Sequence, residues 1–167
     1  MSKIKGKYEH HSMGFEPVYN EKSRIMVLGS FPSVKSREEG FYYGNAQNRF
    51  WRVIATVTGQ PVPQTIEQKK ELLLSQGIAI WDVIESCDII GSADSTIKNV
   101  IPADIAGILK SAKIEKIFVN GQTAGRLYDR FLLPITKIEA NVLPSTSPAN
   151  ARMNLDDLVD AWSCIKE

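Results

Sequence analysis

The sequence contains few of the residues that metal sites and disulfide frameworks require. Its two cysteines, Cys87 and Cys164, lie far apart without CxxC spacing, which excludes a cysteine-built metal cluster and argues against a disulfide framework. The two histidines, His10 and His11, are adjacent in a polar amino-terminal segment, where we expect a mobile or surface role. We therefore predict no metal and no cofactor, and a reducing, cytoplasmic location.

A charge excess and long apolar runs are also missing. Twenty Lys and Arg residues against 19 Asp and Glu argue against a generally basic nucleic-acid coat protein, although a local basic patch is compatible with this balance. No apolar run is long enough to span a membrane, and residues 1 to 11 lack the apolar core of a secretory signal. With 167 residues and 43% apolar content, we expect one domain over residues 1 to 167, of which residues 1 to 12 form a flexible segment.

The apolar patterns alternate between strands and helices along the chain. They predict strands at 24–28, from 78 onward, at 115–119 and at 137–143, and helices at 48–57, 65–75, 102–112, 122–132 and 155–165. Thr65 and Gln68 have the spacing of a capping box, and the polar residues 85–99 read as a long functional loop. This order predicts an α/β fold, a three-layer α/β/α domain with a central, mainly parallel four-stranded sheet.

Four polar loops follow the predicted strands. They are GSFPS, WDVIESC, VNGQTA and LPSTSPANAR, and parallel strands place such loops at one edge of the sheet. The chain has no GxGxxG, GxxxxGK[ST] or GxSxG motif, and no His outside the amino-terminal segment to act as the base for a Ser nucleophile. Carboxamide and aromatic side chains dominate the loops instead, and such a site suits a flat polar ring.

The segment from the first strand end to the following helix resembles a known family. Gly29 to Pro32, then Tyr43, then the Asn48-Arg49-Phe50-Trp51 element have the spacing found in the uracil-DNA glycosylase superfamily. A late Leu-Pro-x-x-Ser loop, here Leu143 to Ser147, agrees as well. The resemblance covers about residues 13 to 165, and it implies a uracil-DNA glycosylase-like fold and activity on DNA.

One departure from the mismatch-specific branch of that superfamily concerns catalysis. Where that branch has a catalytic Asn, in its Gly-Ile-Asn-Pro motif, this chain has Phe31, whose apolar ring cannot polarise a water. The combination of motifs looks instead like the hypoxanthine-DNA glycosylase branch, which implies that Asn48 is the catalytic residue. The alternative is that Asn48 is only a helix N-cap, and both roles are compatible.

The resemblance also implies which residues contact the extruded base. We expect Tyr43 to stack on it, Phe31 to form a pocket wall and the turn amides to contact a purine. Each assignment has a structural alternative: a core aromatic for Tyr43, a loop-capping acid for Asp82 and a tight turn for Asn120. The predicted base-binding residues are Gly29, Ser30, Phe31, Pro32, Tyr43, Asp82 and Asn120.

The late loop is the predicted contact to the DNA backbone. Ser145 and Ser147 offer short hydroxyl donors for phosphate or sugar, with Asn150 beside them and Arg152 as a clamp. Relatives carry His or Asn where this chain has Ser145, and a bulky Leu wedge where it has Ala149. A weaker wedge favours bases that are already poorly paired, such as deaminated ones.

The leading hypothesis is a monofunctional DNA glycosylase for deaminated bases, with hypoxanthine favoured over uracil. Its expected partner is single- or double-stranded DNA with a deaminated base, without membrane association, and we expect a monomer. A G:U/T mismatch-specific uracil-DNA glycosylase and a non-catalytic DNA-binding module of the same fold are the alternatives. A small-molecule hydrolase comes last, because no nucleophile–base pair is visible.

Overall fold

A computed structural model describes residues 6 to 166, which fold into strands and helices in alternation. The strands are β1 (Glu9–Ser12), β2 (Ile25–Gly29), β3 (Ile78–Asp82), β4 (Ile84–Ile89), β5 (Lys98–Pro102), β6 (Lys116–Asn120) and β7 (Ala140–Leu143). The α-helices are α1 (Val34–Glu39), α2 (Phe50–Thr58), α3 (Ile66–Ser75), α4 (Ile105–Ser111), α5 (Gln122–Phe131), α6 (Leu133–Thr136) and α7 (Leu155–Trp162). Short 3-10 helices span Asp94–Thr96 and Ser163–Lys166.

The central sheet is parallel and has the strand order β3-β2-β6-β7. All five residues of β2 are buried, because the strand is covered on both faces. Ile25 and Val27 pack into one core with helices α2, α3 and α7, whereas Met26 and Leu28 pack into a second core with α4, α5 and β4. The predicted three-layer α/β/α architecture with four central strands is thus confirmed.

A second, antiparallel sheet was not predicted. It has the order β1-β4-β5, and it includes both ends of the region expected to be a loop at residues 85–99. That prediction is wrong for β4 and the start of β5, which leaves a shorter loop around residues 90–97. The sequence pattern is weak there because β4 buries Ser86 as well as Cys87, so its alternation of apolar and polar residues is broken.

The amino-terminal segment also differs from the expectation of flexibility over residues 1 to 12. Residues 9 to 12 form β1, which pairs with β4 through Glu9 opposite Ile89 and Ser12 opposite Ser86. His10 Nδ1 lies 2.8 Å from Asp88 Oδ1 across this pair. An edge strand is held by backbone hydrogen bonds, which leave no apolar pattern to find in the sequence. Residues 1 to 5 lie outside the described part of the chain.

Other elements agree with the predictions apart from their ends. The Thr65–Gln68 capping box is confirmed at the start of α3. The helix predicted from residue 48 begins at Phe50, and the helix predicted from 102 begins at Ile105 because β5 runs to Pro102. The fourth central strand begins at Ala140 rather than at 137, because α6 precedes it and is followed by its C-cap residue Lys137, which has φ 58°.

Candidate active site

The carboxyl ends of the four parallel strands surround a cavity of about 220 Å³. Loops after β2, β3, β6 and β7 meet there because parallel strands end at the same sheet edge. Most of the predicted site residues line it: Gly29, Ser30, Phe31, Pro32, Tyr43, Asn48, Asp82, Asn120, Ser145 and Ser147. Asn150 and Arg152 do not; they lie in a neighbouring surface depression that also includes Ser145.

The floor of the cavity is close-packed around Gly29. A Cβ atom at this position would lie 2.5 Å from Asp82 Oδ1 and 3.1 Å from the Tyr43 hydroxyl. Real Cβ contacts are not this short, so any side chain at residue 29 would displace one of these neighbours. Glycine therefore allows the turn after β2 to lie against two polar groups of the cavity.

The carboxamide of Asn48 is oriented by two hydrogen bonds to its oxygen. The Phe50 backbone N–H donates to Asn48 Oδ1 at 2.9 Å, and the Thr146 hydroxyl donates to the same atom at 2.8 Å. Since a backbone N–H can only donate, the acceptor atom must be the oxygen. Within residues 6 to 166, Nδ2 has no protein partner. Asn48 therefore bonds the first N–H of α2, although the N-cap position itself is Arg49, and its side chain lines the cavity. The catalytic role of Asn48 stays a prediction.

Asn120 holds the surrounding loops together. Its Nδ2 donates to the Tyr43 hydroxyl at 3.2 Å and to Thr146 Oγ1 at 3.0 Å, while its Oδ1 accepts from the Thr146 backbone N–H at 3.0 Å. Both amide protons are thus engaged, so Asn120 positions Tyr43 and Thr146. Thr146 is fully buried and joins Asn120 to Asn48. Sequence reasoning missed Thr146, since only its place in the late loop pointed to it.

Arg49 is a second residue that the sequence prediction missed. Its backbone N–H donates to Thr146 O at 3.1 Å, and its guanidinium donates to the carbonyls of Ser147 at 2.8 Å and Asn150 at 3.0 Å, with a further short bond to Met153. The guanidinium thereby fixes the late loop against the start of α2. Arg49 is the second residue of the Asn-Arg-Phe-Trp element, and its place in that motif is the sequence feature that could have identified it.

The adjacent aromatics Tyr42 and Tyr43 both line the cavity, but Tyr42 belongs to the hydrophobic core as well. Tyr42 is buried and donates its hydroxyl to Glu16 O at 2.9 Å. Tyr43 has φ 53°, and its ring stacks on Phe50 with centroids 4.0 Å apart. Burial raises the pKa of the Tyr43 hydroxyl, and the neighbouring Asp82 raises it further, so this hydroxyl stays protonated. One ring face is covered by Phe50, which leaves at most the other for a ligand.

Asp82 is a buried carboxyl at the end of β3. It is 4% exposed, and its Oδ2 atom has no hydrogen-bond partner among the described residues. Burial raises the pKa of Asp82 to about 7, the nearby Asp94 raises it as well, and the Gly29 backbone N–H lowers it. The carboxyl of Asp82 therefore keeps its proton to a higher pH than an ordinary Asp does. The residue lines the cavity, whereas its Oδ2 atom is itself buried, and an unpartnered buried oxygen calls for a partner such as a bound ligand.

The late loop is stabilised by its own polar side chains. Ser145 Oγ accepts from the Ser147 N–H at 3.1 Å, and Ser147 Oγ accepts from the Ala149 N–H at 3.2 Å. Both hydroxyls act as acceptors here, so each retains its proton for an external acceptor such as a phosphate. Asn150 Nδ2 donates to Ser145 O at 3.0 Å, whereas Arg152 is exposed.

Between residues 6 and 166 the structure has neither a metal-binding cluster of side chains nor a membrane-spanning helix. No group of three or more His, Cys, Asp or Glu side chains in that range is arranged to hold a metal ion. No helix in the same range combines the length and apolar character needed to cross a membrane.

Comparisons with known proteins identify relatives that match most of the chain in sequence and in fold. The family model of the uracil DNA glycosylase superfamily matches residues 16–166. A hypoxanthine DNA glycosylase of Methanosarcina acetivorans is 36% identical over 84% of this chain and 89% of its own length, and one of Methanosarcina barkeri is 32% identical over 90% and 94%. A solution NMR structure from Methanosarcina acetivorans, described as a candidate uracil DNA glycosylase, has a TM-score of 0.78 at 34% identity and covers 92% of this chain and 94% of its own. Because the match extends over nearly the whole chain in sequence and in fold, the protein belongs to the uracil DNA glycosylase superfamily.

Proposed function

We propose that this protein is a DNA glycosylase that excises deaminated bases, hypoxanthine above all, by hydrolysing the bond between base and deoxyribose. Excision of this kind is the first step of base excision repair. Two relatives that match most of the chain are hypoxanthine DNA glycosylases. The proposal rests mainly on the side-chain amide of Asn48, which lines a polar cavity. Hydrogen bonds to its oxygen fix the orientation of this amide, while its nitrogen has no partner among the described residues and can donate to a ligand.

The free amide of Asn48 defines what this residue does in the reaction. A glycosylase extrudes the nucleotide, and negative charge then builds up on the departing base. A hydrogen-bond donor aimed at that charge stabilises the transition state more than the ground state. The Asn48 oxygen accepts hydrogen bonds from two protein donors, so both of its lone pairs are engaged and none is left to orient a water. Asn48 therefore acts through its N–H groups.

The remaining cavity residues hold the base and the DNA. The Gly29 to Pro32 turn and Phe31 form one wall, with Tyr43 beside it, and Asp82 offers its unpartnered oxygen to the base. Ser145, Ser147 and Arg152 contact the backbone, with Asn150 ordering the loop that carries them. The cavity lining contains no lysine for a Schiff base, so the enzyme is monofunctional and leaves an abasic site without cutting the strand.

Release of hypoxanthine from inosine-containing DNA tests the proposal. We expect Asn48→Ala to slow base release about 100-fold, the usual cost of losing one transition-state hydrogen-bond donor. Gln47→Ala, the exposed neighbouring carboxamide, is the matched control and should leave the rate unchanged. Near-normal release by Asn48→Ala would refute the assignment of Asn48, and binding without release by the wild type would favour a non-catalytic module.

Uracil is the second candidate substrate. The NMR neighbour is described as a candidate uracil DNA glycosylase, and uracil shares with hypoxanthine a ring N–H beside a carbonyl group. Parallel assays on inosine and G·U duplexes decide between the two bases. A monomeric state and a cytoplasmic location stay predictions from the sequence.

A further inference from the structure

The charge of the cavity is unusual for a site that receives DNA. Its lining includes two carboxyl groups, Asp82 and Asp94, and no Lys, Arg or His. Neither carboxyl takes part in an ion pair within residues 6 to 166. Since DNA carries a negative charge at every phosphate, acidic groups at this entrance oppose binding of the substrate. Because burial favours the neutral form of Asp82, Asp94 is the carboxyl of this lining left to carry negative charge. A negative charge without a cation beside it fits a site where positive charge appears during the reaction.

The two carboxyls lie at different depths. Asp82 is buried at the end of β3 with one oxygen unpartnered, whereas Asp94 is exposed and starts the 3-10 helix at the cavity mouth. The Ser30 hydroxyl donates to Asp94 Oδ2 at 3.2 Å and holds this carboxyl toward the strand-end turn. An extruded nucleotide enters base first, while its sugar stays joined to the backbone outside. Asp82 is therefore level with the base and Asp94 with the sugar.

We propose that Asp94 is a further residue of the active site, whose carboxylate lies beside the deoxyribose and stabilises the positive charge that develops at C1′. The inference rests on the proposed glycosylase function. In the reaction, the bond between C1′ and the base nitrogen breaks and its electron pair leaves with the base. The water oxygen then bonds to C1′, and the proton that water loses is balanced by the proton that the base gains. Asp94 stays a carboxylate throughout and forms no covalent bond.

A carboxylate beside the sugar affects the rate of the reaction and the binding of DNA differently from a residue that only shapes the loop. The Asp94 charge repels phosphates in the bound ground state and attracts the sugar only when it becomes cationic. Removing the charge should therefore slow the chemical step without weakening DNA binding. A residue that merely shaped the loop would reduce binding and stability together.

Single-turnover kinetics at saturating enzyme on inosine-containing duplex test this inference, together with the Kd for a duplex holding a tetrahydrofuran abasic-site analogue. Asp94→Asn keeps an acceptor for Ser30 but removes the charge, and we expect a rate at least 10-fold lower with an unchanged or lower Kd. Asp94→Glu should recover most of the rate. Asp129→Asn, an exposed acid near the far end of α5, removes the same charge away from the cavity and should stay within two-fold of wild type.

The possible outcomes separate this inference from the proposed function. If the wild type releases base and the single-turnover rate of Asp94→Asn is within two-fold of the wild-type rate, the role of Asp94 is overturned and the glycosylase function stands. A variant with weaker binding but a normal single-turnover rate would overturn the role too. A wild type that releases neither hypoxanthine nor uracil would remove the proposed function itself and the inference with it. If Asp94→Asn does not fold, Asp94→Ser, which also removes the charge, should show the same slowing at unchanged Kd, and a normal rate would overturn the inference.

Discussion

At the scale of single residues, Asp82 combines a buried carboxyl with a position in the cavity lining. The groups around it are the hydroxyls of Tyr42 and Tyr43, which stay protonated, and the carboxyl of Asp94. None of them compensates a negative charge, so burial and the nearby acid both favour the neutral form. Burying an unpaired carboxyl costs folding free energy. This cost is tolerated where the carboxyl meets a substrate, because the bound base then supplies the missing hydrogen bond.

The pKa of Asp82 predicts how stability depends on pH. An acid whose pKa rises to about 7 on folding keeps its proton in the folded state between about pH 4 and pH 7, while the unfolded chain has lost it. Stability therefore falls as pH rises through this range and levels off above it, by at most about 4 kcal/mol. Asp82→Asn should lack this part of the pH dependence. Urea unfolding of both proteins from pH 4 to 9 measures it, and parallel curves would contradict the prediction.

At the scale of elements, the start of α2 and the late loop after β7 form one unit. Asn48 and Arg49 precede the helix, and both bond to the loop: Asn48 through the Thr146 hydroxyl and Arg49 through several carbonyls. The loop has little apolar burial of its own, so these bonds determine its position. Because Thr146 orients Asn48, a displaced loop would also misdirect the Asn48 amide.

Replacing Arg49 tests this coupling. Arg49→Lys keeps the charge, but an ammonium cannot reach carbonyls in several directions as a planar guanidinium does. We expect a loss of about 2–4 kcal/mol in the free energy of unfolding, together with a rate of base release at least about 10-fold lower. Arg52→Lys on the exposed face of the same helix should change stability by less than about 0.5 kcal/mol. Equal effects of the two substitutions would show that the loop does not depend on Arg49.

At the scale of the whole molecule, the chain is nearly neutral, so its attraction to negatively charged DNA must come from a local group of positive charges. The net charge is +1, and the cavity itself is acidic. Attraction to phosphate then depends on the neighbouring surface, where Arg152 is exposed beside Ser145. With few cations at the interface, the affinity for DNA should depend less steeply on salt than that of a strongly basic protein.

Salt titration of DNA binding measures the contribution of Arg152. Arg152→Ala should weaken binding similarly for damaged and undamaged duplexes and reduce the slope of log Kd against log salt by about 0.9, the value for one phosphate contact. The single-turnover rate at saturating enzyme should stay the same. Lys113→Ala, an exposed cation at the opposite edge of the sheet, serves as the control. An unchanged slope in Arg152→Ala would place the phosphate contacts elsewhere.

Several features of the fold and site were predictable because they depend on local sequence. The apolar run of β2 and the periodic pattern of α2 identify a buried strand and an amphipathic helix. Parallel strands then require their loops to meet, which brought Asn48, Tyr43 and Asp82 to one cavity. The antiparallel sheet escaped prediction because β1 and β4 pair through backbone groups of residues far apart in sequence.

The sequence alone therefore determined the architecture, the edge that carries the site and the motif that indicates the family. Only the tertiary structure decided which atoms of the site remain available. Thr146 and Asn48 are 98 positions apart, yet their hydrogen bond occupies the Asn48 oxygen and leaves its nitrogen for a ligand. The burial of Asp82 and the position of Asp94 at the cavity mouth also depend on packing between distant loops. Hydrogen bonding and burial act between atoms in space, and no local pattern encodes them.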